Sequence, residues 1–540
     1  MKRVFATLPL HPFLFAIYPI LALYSRNPGE ITIPQALRPM LIAALLAGLL
    51  LIFLYWNWAN KNWLRAAIIT SLFGLYLSSS GHAYRILKST IFPNAGAALH
   101  WAIILIGITL VILINTKAVW QRYATTQRIA TITTTLNLAA WLSLVYPCFV
   151  IGSTVVKGCD DTPPAWTELV GQEDEPQGLA ATRRPDIYYI VVDGYARQDV
   201  SSGLYGLDNA EFLDYLEARG FYIARDSRSN YVQSPLSFAS FLNFDYINFA
   251  ETQAGSQSIN RLPLFDLIRD SRARQLLEAA GYKLVTTSSG YPFTEIIEAN
   301  VYLAPFDSSA SEIERFFLST TALSALYDTE FPFTPTLRYY LPLPGYETSR
   351  QRIQYAFEQL QTIPRLPGAK IVLMHIVAPH PPFIFDRDGN PSEPAQPFSP
   401  ADGEAFSGGT TEYQRGYIEQ LLYINQRLEE SIEAILSQSA APPIIILQAD
   451  HGPGSMLKRD IVEETCLWER ASILNAYYFP DERTDGLYPA ITPVNTFRVV
   501  FNTYFGTHFD LLPDRTYFSP QSHPYDFTDI TDMIQPACQK

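Results

Sequence analysis

Asp450, His451 and Gly452 close the run Pro443-Ile444-Ile445-Ile446-Leu447-Gln448-Ala449. An adjacent carboxylate and imidazole offer one hard oxygen and one nitrogen, two of the three protein ligands of a typical catalytic metal shell. By itself the tripeptide reads equally well as a turn whose aspartate caps the next helix. Other residues decide between these readings. Asp193-Gly194 ends a second apolar run at residues 186–192, His375 lies inside a third at 371–377, and His380 follows in Ala378-Pro379-His380-Pro381-Pro382. The prolines around His380 fix its loop, which is useful for an imidazole that must be held in place. Taken singly, an aspartate after a strand is common turn chemistry. Together, three of the five histidines beyond residue 156 fall at or near such run ends.

The remaining reactive group is a hydroxyl. In Asn230-Tyr231-Val232-Gln233-Ser234-Pro235-Leu236-Ser237, Ser234 followed by Pro235 predicts an N-cap with proline at the first helical position. A hydroxyl at a helix start has backbone N–H groups beside it, which suit the oxygens of a phosphate or sulfate. Beside a metal ion it would become a nucleophile; without one it is only a cap.

Strands must carry these groups. Short apolar runs bounded by Pro and Gly suit strands buried on both faces of a parallel sheet, whose ligands collect at the carboxyl ends. From Pro185 onward, strands alternate with amphipathic helices, the pattern of an α/β sheet. Strands are expected at 186–192, 283–287, 370–377, 443–449 and 473–479, and helices at 208–219, 264–279, 411–438 and 494–504. The loops from 290 to 345, rich in aromatics and proline, have no assignment.

Ahead of this half, residues 1–156 hold one acid, Glu30, against eleven Lys and Arg. Five apolar stretches, at 9–25, 39–57, 63–81, 98–115 and 132–152, approach the length that crosses a bilayer. Buried core helices would not explain the missing acids. Seven cations on one set of loops against four on the other place the N-terminus inside and, after five spans, the rest outside. The remaining 384 residues carry 51 acids and 28 bases, with no basic stripe for nucleic acid. The expected plan is a membrane domain at 1–156, a polar linker at 157–184 and an extracytoplasmic α/β domain at 185–540. Cys148 falls in the last stretch; Cys159, Cys466 and Cys538 would face an oxidising compartment, where one disulfide is expected with its pairing open.

The ordered set of strand–Asp193-Gly194, a hydroxyl at a helix start, Pro379-His380 and Asp450-His451-Gly452 resembles the alkaline phosphatase/sulfatase superfamily. With the spans ahead of it, the chain resembles the branch holding lipoteichoic acid synthases and phosphoethanolamine transferases, and residues 230–243 resemble that branch's nucleophile segment, where the hydroxyl is usually threonine. The resemblance implies a central, mostly parallel sheet flanked by helices. It also implies one divalent ion (Mn, Mg, Ca or Zn) on Asp193, Ser234, Asp450 and His451, with Ser234 as nucleophile. His380 would contact the transferred group or protonate the leaving oxygen. His375 and Arg470 would lie toward the substrate, although His375 reads also as a strand residue supporting the metal ligands, and a surface ion pair accounts for Arg470 equally well. The frame Ser234-Pro235-Leu236-Ser237-Phe238 has its proline misplaced and no arginine, which argues against formylglycine sulfatase chemistry. The implied activity moves or cleaves a phosphate ester, with a membrane lipid or envelope glycan as substrate. A sulfuric- or phosphate-ester hydrolase using the same site, and a non-catalytic envelope scaffold, are the other readings.

Overall fold

The computed structural model describes residues 8–27, 30, 33–59, 61–92, 95–116, 120, 125–157, 166–170, 184–306, 310–327, 329, 331–392 and 398–538. It divides into two compact units: residues 1–162 with 306–344 and 395–397, and the remainder. Cys159 and most of the 157–184 stretch lie outside the described residues.

In the second unit, β1 (Ile187–Val192) lies at the centre of a seven-stranded sheet. The other strands are β2 (Tyr222–Ile223), β3 (Lys283–Thr287), β4 (Val301–Leu303), β5 (Lys370–Ile376), β6 (Ile444–Gln448) and β7 (Asn475–Tyr478), in the order β2-β7-β6-β1-β5-β3-β4. The five from β6 to β4 run parallel, and β7 pairs antiparallel with both β6 and β2. Every residue of β1, β5 and β6 is buried. Side chains alternate between faces of a strand, so Tyr188, Ile190 and Val192 enter one core while Ile187, Tyr189 and Val191 enter the other. A strand with two apolar faces can only sit between two helical layers, as the continuous apolar runs predict.

Register then places the chemistry. Val192 of β1 lies opposite Ile376 of β5, and Val191 lies opposite Gln448 of β6. Asp193, the turn after β5 and Asp450 therefore leave the sheet at one edge. Gly194 makes the turn after β1 with φ +75°, in the left-handed region glycine adopts without a Cβ penalty.

Two expected elements change in detail. The helix at 264–279 is two helices, Leu262–Arg269 and Arg272–Ala279, broken at Asp270-Ser271. Ser234 is the first residue of the helix Ser234–Asn243 rather than its cap; Gln233 holds that position.

Among the described residues, the N-terminal part of the first unit holds five helices, α1 (His11–Arg26), α2 (Ile33–Asn57), α3 (Trp63–Thr90), α4 (Ala97–Ile114) and α5 (Thr126–Lys157), and the same unit adds the short helices Glu312–Ser319, Leu323–Tyr327 and Thr334–Tyr340. Among the described residues, three segments are long and apolar enough to cross a membrane: α2, α4 and residues 127–153 of α5. With 16 residues α1 is short of a full span, and α3 is diluted by Ser78-Ser79-Ser80, His82 and Arg85. The segment 306–344, without an assignment from sequence, belongs to this unit. Gly81 N donates to Thr320 O (3.0 Å), Ala322 N to Leu77 O (2.9 Å) and Trp101 Nε1 to Thr329 Oγ1 (2.8 Å).

A disulfide joins Cys466 to Cys538, 72 residues apart, and Cys148 is an exposed free thiol of α5. Closing a loop of that length restricts the unfolded chain by up to about 4 kcal/mol. Cys538→Ser is therefore expected to lower the unfolding temperature of the full chain. Reductant should produce the same drop in the unmodified protein and none in the variant, as read by scanning calorimetry.

Candidate active site

Asp193, Asp450 and His451 converge at the sheet edge, with ligand atoms within 4.8 Å of one another and all three side chains buried. His451 Nε2 lies 3.4 Å from Asp450 Oδ2 and 3.7 Å from Asp193 Oδ1. The same two carboxylate oxygens accept no hydrogen bond from any described residue. A buried charged oxygen without a partner is strongly unfavourable, and here two of them face one imidazole nitrogen. The other ring nitrogen, Nδ1, lies 2.9 Å from Gly452 O and as N–H donates to it. That bond fixes the tautomer and leaves Nε2 as the ring nitrogen with the lone pair, as a metal-binding histidine requires. The donor set therefore fits a divalent cation held by Asp193, Asp450 and His451.

Ser234 is partly exposed, and its Oγ lies 2.9 Å from His451 Nε2. The hydroxyl is turned to His451 rather than to the helix backbone. The helix thus presents Ser234 at the rim of the buried cluster. His375, on β5 opposite Val191 of β1, brings Nε2 to 3.3 Å from Asp193 Oδ2 and Nδ1 to 2.9 Å from Thr294 Oγ1. Buried in this way, it acts behind Asp193 rather than toward solvent.

His380 is held by its backbone and by one ring nitrogen. Its N–H donates to Asp193 O (3.0 Å), Gln420 Nε2 donates to its carbonyl (3.1 Å), and its Nδ1 donates to Pro381 O (2.6 Å). Nε2 remains directed into the site, 3.9 Å from Asp402 Oδ2. Arg470 is buried rather than part of a surface pair. Its guanidinium donates to Asp402 Oδ2 (2.7 Å), to Gly452 O (3.0 Å) and to His451 Nε2 (3.1 Å).

Asp402 is the site residue that sequence reasoning missed. It follows no strand, and its loop Ser399-Pro400-Ala401-Asp402-Gly403 reads as an ordinary turn. The helix Gly409–Gln438 holds it: Tyr413 OH donates to Asp402 Oδ1 (2.8 Å) and accepts from Gly454 N (2.9 Å). One turn on, Tyr417 OH donates to Gly194 O (3.1 Å) and accepts from Ala196 N (2.9 Å). Gln420 then holds His380 O and receives Ile384 N (2.8 Å). Residues at i, i+4 and i+7 share one helix face, so a single face fixes the loops after β1, β5 and β6.

Burial alone would raise the Asp193 carboxyl, but His380, His375 and His451 outweigh it and hold it below the usual carboxylate range. Asp402 is likewise lowered: burial opposes ionisation, and Arg470, His380 and His451 overcome it. Burial, then Arg470, lowers the His451 imidazole. Its neutral, ligating form is thus favoured at neutral pH.

No family model matches the chain, and no curated protein matches it. Among solved structures, the chain is similar to the C-terminal periplasmic domain of EcEptC from Escherichia coli in complex with Zn. That pair shares 9% identity and a TM-score of 0.39 over 66% of this chain and 96% of the other. It is also similar to the integral membrane lipooligosaccharide phosphoethanolamine transferase A of Neisseria meningitidis (12% identity, TM-score 0.36, 93% and 95% covered). A 2-O GAG sulfatase gives 13% identity, a TM-score of 0.36, and 61% and 72% coverage. Overlaps this distant carry no functional inference, and the chemistry of this chain rests on its own side chains.

Two outcomes are expected. Removing the charge in Asp450→Asn should weaken binding of Zn or Mn by about 10- to 100-fold, read by calorimetric titration of the full chain. A Cβ on Gly452 would sit 2.0 Å from Glu469 O, where the backbone must shift. Gly452→Ala should therefore displace the Glu469-Arg470 turn, lowering both melting temperature and metal affinity.

Proposed function

We propose that this chain is a membrane-anchored, metal-dependent enzyme that transfers or cleaves a phosphate-ester group through Ser234. The observation that carries the reading is a partly exposed hydroxyl 2.9 Å from His451, at the rim of a buried cluster with two unpartnered carboxylate oxygens. A divalent ion held by Asp193, Asp450 and His451, with Ser234 as a further ligand, would supply Lewis-acid stabilisation and a lowered hydroxyl pKa. Ser234 Oγ attacks phosphorus and forms a phosphoserine as the donor P–O bond breaks. His380 Nε2, kept free by the bond from Nδ1 to Pro381 O, accepts the Ser234 hydroxyl proton and passes it to the departing alkoxide. An acceptor hydroxyl or water then displaces the serine. Arg470 steadies the anionic oxygens from beside His451, and His375 positions Asp193.

The plan of a membrane domain at 1–156, a linker at 157–184 and a catalytic domain at 185–540 facing away from the cytoplasm belongs to the same proposal. The Cys466–Cys538 disulfide supports that orientation, since such bonds persist in oxidising compartments. A site tethered beside a bilayer suits a lipid headgroup as donor and a lipid or envelope glycan as acceptor.

The test uses the full chain in detergent, loaded with Zn or Mn and given a p-nitrophenyl phosphodiester. Cleavage should occur, and Ser234→Ala should lose it by about a thousandfold or more while keeping a metal-binding cluster. Mass spectrometry of acid-quenched enzyme should find a phosphoryl adduct on Ser234. Full activity in Ser234→Ala without an adduct would overturn the nucleophile. A folded, metal-free and inactive protein would overturn the enzyme.

A further inference from the structure

The first unit holds an open, mostly apolar cavity of about 470 Å³, lined by α1 to α4 and by residues 317–326. Phe15, Leu46, Phe73, Ile104 and Leu326 supply its faces. Several polar side chains also line it, and each already has a protein partner. Thr70 Oγ1 donates to Ala66 O (2.9 Å), Ser78 Oγ to Leu75 O (3.1 Å) and Thr321 Oγ1 to Leu318 O (2.7 Å). Ser71 Oγ lies 2.5 Å from His11 Nδ1, and Trp101 Nε1 donates to Thr329. Water in a cavity needs two to four polar partners, and a space with its polar atoms already engaged suits hydrocarbon.

The charges above the cavity fix the other end of the occupant. Arg85 lies two helical turns beyond Ser78 on α3, about 10 Å along the axis. Its Nη2 is 3.2 Å from His82 Nδ1, and Arg26, at the end of α1, also acts on His82 through space. Arg26 and His82 are exposed and Arg85 half-buried. A cationic group one headgroup's distance above an apolar cavity complements an amphiphile with an anionic phosphate.

The geometry points to a bound phospholipid: one acyl chain occupies the cavity and the headgroup phosphate meets Arg85 and its neighbours. This site is independent of the chemistry proposed at Ser234, and its test is binding rather than turnover. Gly74 provides the probe, since it lines the cavity and a Cβ there meets no atom within 4 Å. Gly74→Leu starts its side chain in open space and extends into the cavity, and Ser78→Leu is the second filling variant.

The full chain, delipidated in detergent, is titrated with palmitoyl-oleoyl phosphatidylglycerol and followed by native mass spectrometry. One tightly held lipid per chain is expected. Gly74→Leu or Ser78→Leu should weaken it by about tenfold or more, the scale of expelling a few methylenes, with an unchanged melting temperature. The diacylglycerol with the same chains should bind more weakly, and Arg85→Gln should erase that difference. Adducts of detergent mass only, or undiminished lipid binding in both filled variants, would overturn the site. Equal binding of phosphatidylglycerol and diacylglycerol would overturn the phosphate contact.

Discussion

Carboxylates cannot be crowded beneath the reach of water without a compensating cation. Asp193, Asp450 and Asp402 are all buried around one point, and Arg470 is the guanidinium placed among them. Three carboxylates against one guanidinium leave two negative charges, the charge of one divalent ion. Arg470 satisfies Asp402, so the deficit falls on Asp193 and Asp450, the two residues with unpartnered oxygens. Nearby Glu469 is not part of that deficit. Its carboxylate accepts from Tyr205 OH and from the amides of Ser455 and Met456, and it serves to hold the loop after Gly452.

Holding this arrangement against its own repulsion requires rigid surroundings. Parallel pairing of β1 with β5 and β6 sets the height of the acids, because their positions follow the registers Val192 to Ile376 and Val191 to Gln448. The polar face of the helix Gly409–Gln438 sets the angle of the loops. Tyr413 joins the Asp402 loop to the one after β6, Tyr417 closes the loop after β1 at both ends and Gln420 closes the one after β5, so loss of any one leaves buried groups unpaired. Gly452 completes the packing by letting the Glu469 carbonyl approach where a side chain would block it.

Those roles explain what could be read from the sequence. Asp193, Asp450 and His451 follow apolar strands, and strand ends are visible as breaks in hydrophobic patterning. Ser234 was visible through Ser-Pro at a helix start, although its hydroxyl turns to His451 instead of capping. Asp402 lies on a loop without periodicity and is tied into the site by Tyr413 and Arg470, contacts separated by 11 and 68 residues. Tyr413, Tyr417 and Gln420 read as one unremarkable stripe of an amphipathic helix. The segment 306–344 escaped for a different reason. Its short helices pack on α1 to α4, so its apolar faces answer to a partner surface rather than to a strand or helix rhythm of their own.

The two sides of the site differ in what they lack. On the buried side, Asp193 Oδ1 and Asp450 Oδ2 are acceptors without donors. On the rim side, the Ser234 hydroxyl and Arg470 Nη2 both point at His451 Nε2, whose single lone pair can accept only one of them well. His380 Nε2 faces the same space. An excess of acceptors below and of donors above is complementary to a cation lying under an anionic oxygen. A structural metal site would close its shell with protein ligands. Here the fourth direction opens onto a hydroxyl, a guanidinium and an imidazole rather than a fourth protein ligand.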